Sequence, residues 1–163
     1  MNRAFAASAL IVLALILPGC ASTPTSRAPS AASRSEVSAS LGDRAAAQAT
    51  TMRGRPYHFG GESVSSGFDC SGLVRYSYRQ VGVDLPHSTD AQRKISAPVK
   101  LSSVRRGDLL FFDHEGKKNS HVGIYLGDGA FVHAPSTGKT VRSDLIDSAY
   151  WRRHLSEARR FDF

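Results

Sequence analysis

The side chains of this 163-residue sequence best suited to covalent chemistry are its two cysteines, Cys20 and Cys70, and its six histidines. A cysteine attacks as the thiolate, and histidine, which titrates near neutral pH, can take up the proton. Cys70 lies in Gly67-Phe68-Asp69-Cys70-Ser71-Gly72-Leu73, where Asp69 is a plausible helix cap and the cysteine falls in the first helical turn. Unsatisfied backbone N–H groups and the helix dipole stabilise a thiolate there, which predicts a thiol more acidic than a free cysteine. Ser71 and Gly72 are small and are expected to leave room for a substrate backbone. With Cys20 assigned elsewhere below, Cys70 has no disulfide partner within the chain. Such a thiol is either buried and inert or retained for reactivity, and these surroundings favour the second.

Among the histidines, His58, His87, His114 and His154 lie in loop-like or tail contexts, where a solvated or hydrogen-bonded ring is expected. His121 opens the strand-like run His-Val-Gly-Ile-Tyr-Leu, and His133 sits near the end of Ala-Phe-Val-His-Ala, with Gly127-Asp128-Gly129 between them. Strand parity tests the two as a pair. A three-residue loop over 127–129 pairs Leu126 with Ala130, sets Gly123 opposite His133 and leaves His121 on the same face, with Cβ atoms about 7 Å apart. A two-residue Asp-Gly turn would put the rings on opposite faces. A catalytic pair therefore needs the odd loop or a bulge.

The elements that must position these residues follow from periodicity. Ala45, Ala49 and Met52 recur at helical spacing, with Ser40 as a cap and Gly54 as a stop, which predicts a helix over 41–53. Leu73, Val74, Tyr78 and Val81 predict a second helix between Asp69 and Gly82. Short strands are expected at 109–112, 121–126, 130–134 and, weakly, 139–142. Helices first and an antiparallel sheet afterwards make an α+β domain over 41–163, and no internal repeat is present.

Hydrophobic residues at 41% and charged residues at 21% exclude a fibrous or wholly disordered chain. The net charge is +7, and 16 of the 21 cations are arginines scattered along the sequence. With no basic run and no zinc-finger spacing, this reads as a solvated basic surface suited to acidic polymers or anionic membrane, not to nucleic acid. Arg3 is followed by an uncharged stretch from Ala4 to Leu17, too short against the roughly 20 apolar residues of a spanning helix. Residues 1–19 are therefore expected as a signal peptide. Leu17-Pro18-Gly19-Cys20 resembles the bacterial lipobox, which implies a lipid on Cys20 and membrane attachment through it. Ala21 stands where an Asp retains lipoproteins in the inner membrane, so that resemblance points to the periplasmic face of the outer membrane. Sixteen of residues 21–40 are Ala, Ser, Thr or Pro, and 20–40 is expected as a flexible linker with a reach of about 25 Å.

Several segments together resemble the NlpC-type cell-wall cysteine peptidases. They are Gly54-Arg55-Pro56-Tyr57-His58-Phe59-Gly60-Gly61, Phe68 to Val74, Leu85-Pro86-His87-Ser88-Thr89, Arg106 to Phe112, His121 to Gly127, Phe131 to Ala134, and the tail Tyr150-Trp151-Arg152-Arg153 with Glu157 to Arg160. The resemblance implies a stripped-down papain-like α+β fold and a peptidoglycan stem-peptide substrate, hydrolysed by a monomer without cofactor or metal. It makes Cys70 the nucleophile, His121 its base and acid, and His133 the residue that orients His121. It gives the Tyr57 hydroxyl to the oxyanion, and Asp69, Ser71 and Ser88 to substrate contact. His87 departs from the pattern, since close relatives often carry Arg there. The implied bond is D-Ala to diaminopimelate in cross-links, or D-Glu to diaminopimelate within one stem. A metal hydrolase lacks its His-x-x-x-His, with Asp113, His114 and His121 the best alternative set. The permuted acyltransferases place His before Cys, the reverse of the order here. An inactive peptidoglycan-binding lipoprotein would have no use for a thiol and two histidines together.

Overall fold

The computed structural model describes residues 31–163, with side chains described from Leu41 onward. The expected signal peptide, the lipidation site Cys20 and the linker up to Ser30 lie outside the described residues. Helix α1 runs Ala31–Thr51, beginning ten residues ahead of the expected start and within the segment read as linker. No Gly or Pro interrupts the chain between Ser30 and Leu41, so Ala- and Ser-rich sequence continues the same helix. Its inner face is Ala45, Ala46 and Ala49, all fully buried. Such small side chains bring the helix axis close to the rest of the fold. At the closest approach a Cβ added to Gly107, which has a φ of +96°, would lie 2.3 Å from the Gly42 carbonyl carbon.

A two-residue hairpin, β1 (Glu62–Ser63) and β2 (Gly67–Phe68), leads into α2 (Cys70–Arg79) and the short α3 (Thr89–Lys94). Then come β3 (Ala97–Val99), β4 (Leu109–His114), β5 (Lys117–Gly127), β6 (Ala130–His133), β7 (Arg142–Leu145), α4 (Ala149–His154) and β8 (Leu155–Arg160). Six of the strands form one antiparallel sheet in the order β3-β8-β4-β5-β6-β7. The architecture is the expected α+β. Leu109 to Phe112 are all buried because both faces of the sheet are covered. Leu109 and Phe111 pack with α1 and α2, whereas Leu110 and Phe112 pack with Trp151 of α4.

Two strands differ from the sequence reading. The segment 139–141 does not pair with β6, because the Gly54 amide donates to the Val141 carbonyl and the Val141 amide to the Arg55 carbonyl, both at 2.8 Å. The strand expected at 139–142 accordingly starts at Arg142. β8 was not foreseen, since among its charged residues only Ala158 is a buried apolar side chain. Its arginines are held inward: Arg160 forks onto buried Asp108 at 2.6 and 2.7 Å, and Arg159 pairs with Glu157 at 2.9 Å.

Candidate active site

The β5–β6 hairpin decides whether the two strand histidines can meet. Ile124 pairs with Val132 and Tyr125 with Phe131, the register that sets His133 opposite Gly123. The turn itself is the two-residue Asp128-Gly129, and Gly127, not Leu126, pairs with Ala130. The parity is saved by an irregularity between Tyr125 and Gly127, one extra residue on β5. His121 Nε2 and His133 Nδ1 lie 2.8 Å apart, with the rings nearly perpendicular at 84°.

Behind His133 the line continues to Asp144, whose Oδ2 is 3.1 Å from His133 Nε2. Asp144 also accepts from Trp151 Nε1 at 2.8 Å and from Arg142 Nη2 at 2.9 Å, which hold its carboxyl below the usual range against the opposing effect of burial. The Trp151 indole stacks on His121, with ring centres 5.4 Å apart, and meets His133 edge-on. Burial pushes both imidazoles down, His121 well below its ordinary value and His133 to about 4, although Asp144 pulls the other way. Both rings are therefore neutral at pH 7. With Asp144 ionised, His133 donates Nε2–H to it and accepts at Nδ1 from the Nε2–H of His121. The lone pair of His121 is thereby placed on Nδ1.

Cys70 is the first residue of α2, half-buried in a cleft that His121 and Tyr57 also line. The Thr89 hydroxyl lies 3.8 Å from its sulfur, and it and the backbone of Val122 and Ser71 act to lower the thiol's pKa. The expected acidic thiol is not found. Burial first, and then the Asp69 charge, push the Cys70 thiol up. The helix terminus is favourable in itself, but its cap is a carboxylate that opposes a second negative charge.

Asp69 accepts from the Gly72 amide at 2.6 Å, from Ser71 Oγ at 3.0 Å and from the Gly60 amide at 2.9 Å. His87 bridges it to Glu62, with its two nitrogens 3.2 and 3.1 Å from the two carboxylates. Ser88 caps α3, accepting from the Ala91 amide at 3.2 Å, and does not line the cleft. The three residues assigned to substrate contact are thus engaged with the protein's own backbone and side chains. Nor does Gly72 leave substrate room: a Cβ there would sit 2.0 Å from the Gly61 carbonyl oxygen, so the chain itself fills the space. The fit explains the glycine without a ligand.

His114, expected as a loop residue, ends β4 within the cleft, its ring centre 5.3 Å from that of His121 and its Nδ1 2.8 Å from the Tyr150 hydroxyl. Asp144 was missed altogether. It stands opposite Phe131 in a pairing that sets Arg142 opposite His133, so it shares a face with both histidines once that register is known. Among the described residues no cluster of His, Cys, Asp and Glu is suited to a metal ion. What the arrangement can do is present a thiol and a neutral, oriented imidazole to one open cleft.

Residues 54–160 match the NlpC/P60 family. The sequence is 40% identical over 111 residues to the murein DD-endopeptidase MepH of Escherichia coli, a match covering 66% of this chain and 41% of that protein. It is 41% identical over 114 residues to the protein of the same organism named murein DD-endopeptidase MepS/murein LD-carboxypeptidase, covering 69% and 59%. The chain thus spans about two fifths to three fifths of the length of these curated relatives. The solved NlpC/p60 domain of the peptidoglycan hydrolase SagA superposes with a TM-score of 0.64 at 36% identity, covering 74% of this chain and 98% of that domain. With two thirds of its length matched and its fold shared, the chain belongs to the NlpC/P60 family.

Proposed function

We propose that this protein is a cysteine-type peptidoglycan endopeptidase that cleaves stem-peptide amide bonds next to diaminopimelate, D-Ala–diaminopimelate cross-links in particular. The observation that carries this reading is the unbroken line Asp144–His133–His121, ending in a basic Nδ1 on the wall of the cleft whose floor is Cys70. The names of the two relatives and of the solved domain supply the substrate class. In this mechanism His121 Nδ1 takes the Cys70 proton as Sγ attacks the carbonyl carbon, and the carbonyl oxygen becomes an oxyanion facing the Tyr57 hydroxyl. The same proton passes to the leaving amine, and an acyl-thioester remains. Water, deprotonated by His121, then hydrolyses the thioester and restores the thiol. His133 and Asp144 hold the ring and its tautomer and take no proton themselves.

For location, the reading is a lipid-anchored enzyme at the periplasmic face of the outer membrane, attached through Cys20 and acting as a monomer. It is supported by the lipobox-like Leu17-Pro18-Gly19-Cys20 and by Ala21. Mass spectrometry of cross-linked sacculi digested with the protein tests the activity and identifies the bond. Cys70→Ala is expected to release no muropeptide while still binding sacculi. Release by that variant equal to wild type would remove the nucleophile, and products split at D-Glu–diaminopimelate would reassign the bond. Cys20→Ser is expected to leave the outer-membrane fraction.

A further inference from the structure

The cleft does not end at the catalytic line. Past His114, Pro135 and Ser136, which line both spaces, it continues into a side pocket walled by Tyr150 and Trp151. Lys139 and Arg142 complete the lining, and no acidic side chain does. Lys139 is exposed, and its Nζ pairs with no carboxylate among the described residues. Its backbone is nevertheless fixed, the amide donating to the Ser136 carbonyl at 3.1 Å and the carbonyl accepting from the Tyr57 amide at 2.8 Å. The free ammonium thus springs from a turn tied to the wall of the main cleft. Arg142 spends Nε and Nη2 on Asp144 and leaves Nη1 without an acceptor among the described residues. The main cleft around Cys70 carries one charged side chain of each sign, Glu115 and Lys117, so the unbalanced cationic lining is confined to the side pocket. A bound peptide has a preferred direction across the two spaces, with an anionic group toward the side pocket.

We propose that this side pocket holds a free carboxylate of the peptide substrate between Lys139 Nζ and Arg142 Nη1, with the aliphatic part of the same residue against Tyr150 and Trp151. A recess with two unspent cationic donors and aromatic walls suits an anionic amino-acid residue and disfavours its amide, which offers no charge to either donor. The proposal rests on the peptidase reading above. Stem peptides supply such a group from three places, the carboxylate of D-glutamate not used in its amide bond, the carboxylate at the distal end of diaminopimelate and the terminal carboxylate of D-alanine.

The chain has one tryptophan, Trp151, and it stands in the pocket wall, so its emission reports occupancy. The Cys70→Ala protein is titrated with stem tetrapeptides in four forms: all carboxylates free, the D-glutamate carboxylate amidated, the diaminopimelate carboxylate amidated, or the terminal one amidated. One amidation is expected to weaken binding tenfold or more, and which one it is identifies the source of the carboxylate. Lys139→Gln is expected to abolish that discrimination and Lys139→Arg to keep it. Dissociation constants within twofold for all four peptides, or discrimination that survives Lys139→Gln, would overturn the proposal. A wild-type protein that cleaves no muropeptide, while its Cys70→Ala form still discriminates, would sink the peptidase reading and leave the carboxylate pocket standing.

Discussion

In the free protein Cys70 and His121 are a neutral pair, because burial raises the thiol and lowers the imidazole. The protonation state that reacts, one proton shared between the two, therefore occupies a wide span of pH. For kcat/KM we expect an acid limb below the ordinary histidine value and an alkaline limb above the ordinary thiol value, with a plateau between. Iodoacetamide alkylation of Cys70 should show a midpoint above that of free cysteine, and a midpoint below it would restore the thiolate–imidazolium alternative. Asp144 gives a second test at this scale. Asp144→Asn removes a negative charge that favours protonated imidazoles, so the acid limb should move to lower pH. It also frees His133 to turn, at a cost of about 1–3 kcal/mol for the broken buried contact, or roughly tenfold or more in kcat. Loss of kcat without movement of the limb would make Asp144 a packing residue only.

At the scale of elements, the nucleophile helix is seated by backbone contact. The Gly61 carbonyl occupies the space above Gly72 and accepts from the Asp69 amide at 2.9 Å. Gly72→Ala must push that loop or α2 aside and should cost about 1–3 kcal/mol in denaturant unfolding, with a larger fractional loss of activity than of stability. These contacts explain what could be read from sequence and what could not. Asp69 and the helix it caps were legible because capping is local. The spacing of His121 and His133 fixed their common face only up to the parity of one hairpin, and a bulge at Leu126 settled it, which no periodicity shows. Asp144 and His114 were illegible because their roles arise from neighbours distant in sequence: the His133 to Asp144 bond crosses β6 to β7, and His114 meets Tyr150 of α4. The strand expected at 139–142 was displaced by backbone bonds to Gly54 and Arg55, partners some 85 residues away that local pattern does not contain.

Across the whole molecule, two buried neutral histidines tie stability to pH. His133 falls to about 4 from an ordinary value of 6.5, so the unfolded chain binds the proton more readily than the folded one between these limits. Stability is then complete above pH 6.5 and declines as pH falls toward 4, by about 3 kcal/mol from His133 alone. Urea midpoints measured at pH 7, 5.5 and 4.5 should decrease in that order, and His133→Asn should flatten the series relative to wild type. Unchanged midpoints across that range would mean that the two rings titrate in the fold as they do in the unfolded chain. The sheet carries a different kind of consequence. Its last strand in sequence, β8, lies between β3 and β4 and not at an edge, and α4 just before it supplies the Trp151 ring that covers His121. The strand that joins β3 to β4 and the roof of the reactive ring thus both come from one continuous segment, residues 149–160. Unfolding of that one segment would uncover the His121 ring and part β3 from β4 in the same event.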